Sequence, residues 1–343
     1  MKKFLYLMGW LIAFAGCQPT NTVEPSSQTA SKNHSNALAQ NQRQSNSFYS
    51  NLAFQHAPVH YQDVDRTGSH GLSGKGDYIT AVDFDGDLNA TNNWNNIAKS
   101  NYPGKAVSYY SVVETTTHYF IIYAFFHPRD WTDIFFLYYF DEHENDLEGL
   151  LTIVRKDGST YGKAEGAITV FHSDFFSFKT SASSLSSGQE DIDGTITTQN
   201  HGGKQRFKTA QEAKGHGLKA YSVLKPGGSD YVIYYPSKTT SESPANIYDH
   251  DVKYKLVNIF GNGGLWESRF NTQLFKNAKQ FQKSVGRGTA NAPWNWDDGN
   301  DGGSTGLLAG GMAYYPAELV DAYFNGLGNF SKQYIYNPYL GIE

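Results

Sequence analysis

The chain has 343 residues, with Lys+Arg 28 against Asp+Glu 33 for a net charge of −5. It carries no basic block, which argues against nucleic acid as a partner, because phosphate binding needs clustered Lys and Arg. Aromatics reach 15% beside 34 Gly, favouring strands and loops over a helix bundle, and the single Cys excludes an internal disulfide and a Cys-rich zinc site.

In chain order, Met1-Lys2-Lys3 is a short positive segment ahead of the apolar run Phe4 to Phe14. That run is too short to span a bilayer and reads as a secretory signal over residues 1–16. It stops at Ala15-Gly16-Cys17, which resembles a bacterial lipobox, where the Cys is lipidated and becomes the first mature residue. Gln18 follows rather than Asp, a pattern that resembles outer-membrane sorting. Phe14 departs from the commonest Leu, and Ala13-Phe14-Ala15 also fits an ordinary cleavage site, so plain secretion is the alternative.

Residues 17–47 are dominated by Ser, Asn, Gln, Thr and Ala, with Pro19 and Pro25, and can bury little apolar surface. They are expected to form a flexible tether. No internal repeat or second long polar linker follows, so residues 48–343 are expected to form one body, and the protein to be a monomer.

Within that body, Lys105 to Val113, Tyr119 to Phe126, Gly149 to Arg155, Ala167 to Phe171, Ala220 to Leu224 and Tyr231 to Tyr235 read as strands between turn residues. The continuous apolar run Tyr119 to Phe126 predicts a strand buried on both faces. Helical patterning is confined mainly to Gln273–Ser284 and Pro316–Phe324. The expected fold is all-β, mainly an antiparallel β-sandwich, with a few peripheral helices.

The segment Tyr123 to Val154 concentrates chemistry. Phe126-His127-Pro128-Arg129-Asp130 is followed by a twelve-residue loop and then by His143-Glu144-Asn145-Asp146-Leu147-Glu148-Gly149. On an extended chain Asp146 and Glu148 share a face while Leu147 points into the core, and His143, in the preceding loop, can turn towards them. Oxygen-rich ligands with one His suit Ca²⁺, Mg²⁺ or Mn²⁺ better than structural zinc; an acidic solvated turn is the other reading.

These residues resemble the necrosis- and ethylene-inducing (NPP1, Nep1-like) proteins and the Vps62-type domains. The family pattern Y-A-W-Y-F-P-K-D, then G-H-R-H-D-W-E, is matched by Tyr123 to Asp130 and His143 to Glu148. Val170-Phe171-His172-Ser173, Lys214-Gly215-His216-Gly217 and Pro293-Trp294-Asn295-Trp296 are similar to later signposts. The resemblance implies a β-sandwich groove holding a divalent cation through Asp130, His143, Asp146 and Glu148. Asn145 replaces the family's second His and Leu147 its Trp. The family's toxins disrupt plant membranes by binding glycosylated sphingolipid head groups, an activity that these departures put in question. Glu144 is outside the inherited set, and its charge is expected to matter little.

Other motifs are weaker. Asp83-Phe84-Asp85-Gly86-Asp87 has Leu88 and Trp94 where an EF-hand loop needs Gly and Glu, so it reads as a turn. Asp297-Asp298-Gly299-Asn300-Asp301-Gly302-Gly303 fits either an irregular calcium loop or a Gly/Asp turn. His172 and His216 are candidates for acid–base or supporting roles, or are simply satisfied core residues. Two functions are therefore expected: a surface-tethered lipoprotein whose cation site binds a glycan or lipid head group and is membrane-active, or a metal-dependent secreted hydrolase using His172 or His216.

Overall fold

The run Tyr119 to Phe126 lies in the central strand of a computed structural model that describes residues 47–102, 104–299 and 309–343. The signal segment, Cys17 and the tether up to residue 46 lie outside the described residues, as do Asn300, Asp301, Gly302 and Gly303. Among the described residues a thirteen-stranded sheet carries the architecture. Six of its strands are β1 (Val59–Asp63), β2 (Val107–Thr115), β3 (His118–Asp130), β4 (His143–Arg155), β5 (Lys163–Phe171) and β6 (Asp174–Lys179). From β2 to β6 each strand pairs antiparallel with the next.

On its other side β2 pairs parallel with Val252–Asn258, which pairs parallel with Tyr231–Ser237. The sheet continues through β1 and Lys204–Gln211 to the edge strand Leu218–Ala220. That edge strand returns against β5 and β4, so the sheet curls over itself and encloses one of its own faces. The fold is thus predominantly β with a few helices, antiparallel through its centre and mixed at the outer junctions.

All thirteen residues of β3 are buried, and its apolar side chains alternate between two cores. Phe120, Ile122, Ala124 and Phe126 pack with Trp294, Trp296 and Val320. Tyr119, Ile121, Tyr123 and Phe125 pack inside the curl with Leu52, Val232 and Tyr254. Because both faces are covered, the strand has no polar alternation in its middle. Each such large side chain contributes roughly 1.5–3 kcal/mol by leaving water. Two of the buried hydroxyls are satisfied around the end of the helix over 47–56: Tyr123 donates to the Ala53 carbonyl at 2.6 Å, and Tyr254 to that of Pro58 just beyond it at 2.7 Å.

The helix expected over Pro316–Phe324 is present as Pro316–Tyr323, with Pro at its start and Leu319, Val320 and Tyr323 buried. The other expected helix is not. Gln273–Ser284 contains a hairpin pairing Phe275–Lys276 with Gln280–Phe281. Asn277 and Ala278 between these strands have φ of 55° and 59°, left-handed values that break a right-handed helix and suit a tight hairpin turn. The strand expected over Ala220–Leu224 ends at Ala220, because the amides of Val223 and Leu224 turn back to its carbonyl at 2.9 and 3.0 Å. Asp83–Asp87 is a turn, as read: Gly86 N–H donates to the Asp83 carbonyl at 2.9 Å, and Asn96 and Asn92 bond Asp85 and Asp87.

Candidate functional site

Strands β3 and β4 form one long hairpin, and the end at its connecting loop builds the site. The register sets Asp130 opposite His143 and His127 opposite Asp146. Between the His127–Asp146 and Arg129–Glu144 rungs lie Pro128, which has no amide hydrogen, and Asn145, whose φ is 66°. His143 therefore opens strand β4 rather than lying in the preceding loop. Leu147 points into the core as expected, and its carbonyl accepts from Trp296 Nε1 at 2.9 Å.

Asp130, His143, Asp146 and Glu148 line one cleft of about 300 Å³, together with His172, Trp296 and the backbone around Gly288. His143 Nε2 stands 3.1 Å from Asp130 Oδ2, and its Nδ1 is 2.7 Å from the Asn145 carbonyl. A carbonyl can only accept, so Nδ1 is the donor. Burial pushes the Asp130 carboxyl up while His143 pulls it back; burial disfavours His143 as a cation, yet Asp130 pushes it up. These directions describe one proton held between the pair. Gly288 permits the approach of the neighbouring backbone, since a Cβ there would sit 2.0 Å from His143 Cδ2.

Glu148 is buried, and its Oε1 accepts the His172 amide at 2.6 Å. Its Oε2 has no hydrogen-bond partner among the described residues. Burial, then the nearby charges of Asp146, Asp130 and Glu212, push this carboxyl well above its ordinary range. His172 also stands 3.0 Å from Glu212 through Nε2. As the side chains stand, no three His, Cys, Asp or Glu groups among the described residues converge into a metal-ligand shell.

The residues nevertheless fit a cation on two counts: an unpartnered oxygen in a crowded carboxylate cluster, and a His whose Nδ1–H is fixed by a carbonyl. That hydrogen bond orients Nε2 in the way metal-bound imidazoles are oriented. Asp130, His143, Asp146 and Glu148 are the residues that would hold the ion, which would supply positive charge to offset their repulsion and a centre for oxygen ligands.

His216 is fully buried and does not line the cleft. It bridges Asp146 Oδ2 at 3.2 Å and Asp77 Oδ1 at 3.3 Å, and its ring stacks on His127 at 3.8 Å. Asp77 and His127 had no role in the sequence reading; alternation with Phe125 places His127 inside the curl, whereas nothing local marks Asp77. Glu144 is also corrected. It is buried and accepts from Trp94 N at 2.8 Å, Ser284 N at 2.6 Å and Ser284 Oγ at 2.9 Å, so it is structural rather than a spectator. Asn145 is satisfied in the same way, donating to the Ala90 and Gln282 carbonyls and accepting from Asn93. Trp294 and Trp296 are both buried, and Asp298 accepts from the Phe175 amide at 3.2 Å.

No family model matches the chain, and no curated protein matches it. Two solved structures are similar. One is a non-toxic HaNLP3 protein, at 12% identity and a TM-score of 0.29, covering 62% of this chain and 74% of that one. The other is described as a toxin fold for microbial attack and plant defense, at 14% identity and a TM-score of 0.34, covering 80% of this chain and 90% of that one. The chain resembles the Nep1-like proteins, as its central motif does, and the roles assigned within the cleft rest on the cleft's own geometry.

Proposed function

We propose that the chain is a surface-tethered lipoprotein whose cleft takes a divalent cation, Ca²⁺, Mg²⁺ or Mn²⁺, and with it a glycan or lipid head group. The observation that carries this reading is Glu148, a buried carboxylate with an unpartnered oxygen in a cleft shared with Asp130 and Asp146. Three carboxyl groups so placed cannot all ionise without repelling one another, and a cation is the simplest group to offset that repulsion. A cation open to the cleft would accept sugar hydroxyls or phosphate oxygens as further ligands. Lipidation at Cys17 would hold the body at the outer membrane or cell surface; simple secretion would release the same body.

A hydrolase is the second reading, and His172 favours it by lining the same cleft with a partly exposed ring. His216 is too deeply buried to serve as the proton shuttle. Titration calorimetry of the wild type and Asp146→Asn with each of the three cations tests the common premise. Binding by the wild type and strong weakening in Asp146→Asn are expected, with added cation raising the wild-type melting temperature more. Absence of binding by all three cations refutes the proposal.

A further inference from the structure

A second cavity lies at the far end of β5. That strand runs from Lys163, which lines the cavity, to Phe171, whose neighbour His172 lines the cleft; its nine residues set the two roughly 26 Å apart. The cavity measures about 710 Å³ against about 300 Å³ for the cleft, within the range of small-molecule sites. Its wall combines the buried apolar side chains of Ile196 and Phe207 with the hydroxyls of Thr180, Ser181, Thr195 and Thr197. Its charge is one-sided: Lys163 and Lys204 line it and no Asp or Glu does, in a chain of net charge −5. The Gly202-Gly203 turn, at φ of 60° and 73°, closes the hairpin that brings Lys204 there. The helix over 47–56 also ends at the cavity, and its carbonyl end would by itself repel an anion. Buried Arg206 offsets this, donating through Nη1 to the Phe54 and Ala57 carbonyls at 2.6 and 3.0 Å. His56 donates through Nε2 to the Tyr161 carbonyl at 2.8 Å, and burial lowers its pKa, so its Nδ1 is left as an acceptor.

We propose that this cavity binds an acidic sugar, a short oligosaccharide whose hydroxylated rings carry carboxylates. Lys163 and Lys204 match the carboxylates as charge-assisted donors. The threonine and serine hydroxyls and His56 Nδ1 match the sugar hydroxyls, and Ile196 and Phe207 match the apolar face of a sugar ring. A simple polyanion would leave the hydroxyls and the apolar wall unused, and a neutral sugar would leave the lysines unused. This site stands apart from the cleft and needs no divalent ion, so it goes beyond the reading of the cleft.

The test uses the full chain with Cys17→Ser, freed of divalent ions on a chelating resin. Titration calorimetry with trigalacturonate is expected to show binding that weakens as salt is added. Two control compounds separate the contributions: the methyl ester of the same sugar keeps the hydroxyls without the charge, and tricarballylate keeps carboxylates without the sugar. Each is expected to bind roughly tenfold more weakly, or worse. Lys163→Gln with Lys204→Gln is expected to lower affinity for trigalacturonate by roughly tenfold or more, with melting unchanged because neither side chain is buried. Ala182→Glu, at an exposed position of the lining, sets a repelling carboxylate in the cavity and is expected to weaken binding as far. Asp146→Asn, in the cleft, is expected to bind the sugar as the wild type does. No binding of trigalacturonate, equal binding of either control compound, or unchanged affinity in either cavity variant overturns the proposal. So does loss of binding in Asp146→Asn, which would place the sugar in the cleft. Since every arm is run without divalent ions, failure of cation binding at the cleft leaves these outcomes readable.

Discussion

Removing the charge of His216 should reveal how much the buried polar cluster contributes to the fold. Its ring lies between Asp146 and Asp77 at 3.2 and 3.3 Å, with no exposure to solvent. Burial alone would lower its pKa, but hydrogen bonding and the charges of Asp146 and Asp77 outweigh this and push it from 6.5 to about 9. The native state then holds a proton that the unfolded chain releases near 6.5. The resulting stability is fully present below pH 6.5 and is lost as pH rises through about 9.

At about 1.4 kcal/mol per pKa unit, this shift is worth roughly 3 kcal/mol below pH 6, about 2.5 kcal/mol at pH 7 and almost nothing at pH 10. The perturbation is His216→Gln, which keeps a polar side chain and removes the titration. Urea unfolding of both proteins at pH 6, 8 and 10, in EDTA, gives the stability gap between them. That gap should shrink by about 2–3 kcal/mol between pH 6 and pH 10. A gap that stays constant with pH would show that His216 is neutral and contributes only packing, and the reasoning would fail.

Glu144→Gln should destabilise by about 1–3 kcal/mol, measured by urea unfolding, because an amide cannot accept from both Trp94 and Ser284 as the carboxylate does. An unchanged midpoint would mean these bonds are absent in solution. Gly149→Ala should cost about 1–3 kcal/mol, since its Cβ would meet the Tyr123 carbonyl oxygen at 2.0 Å and the Trp296 ring at 2.8 Å. Thermal melting checks this, and tryptophan fluorescence should report the displaced ring. Cys17→Ser should release the protein from the membrane fraction; continued fractionation with membranes would rule out lipidation at this residue.

Much of the site was legible because it lies within one hairpin. Asp130, His143, Asp146 and Glu148 are separated by one loop and a few strand positions, so pairing of two strong strands suffices to bring them to one end. The continuous apolar run Tyr119 to Phe126 likewise announced a strand covered on both faces, and Pro316 announced the start of a helix. Where local pattern was ambiguous it misled. The spacing of Leu274, Phe275, Ala278 and Phe281 suits a helix, but a left-handed turn at Asn277 and Ala278 pairs Phe275 with Phe281 instead.

Long-range closure settled the rest. Asp77 and His216 come from segments far from the motif, and His216 meets both Asp77 and Asp146 only because the sheet curls back on itself. That closure supplies the two carboxylates that hold the charge on His216 against its burial, and burial strands one oxygen of Glu148. It also turns Glu144 from a surface acid into a buried acceptor. Desolvation depends on everything packed around a group, and the neighbours that supply it here are far away in the chain.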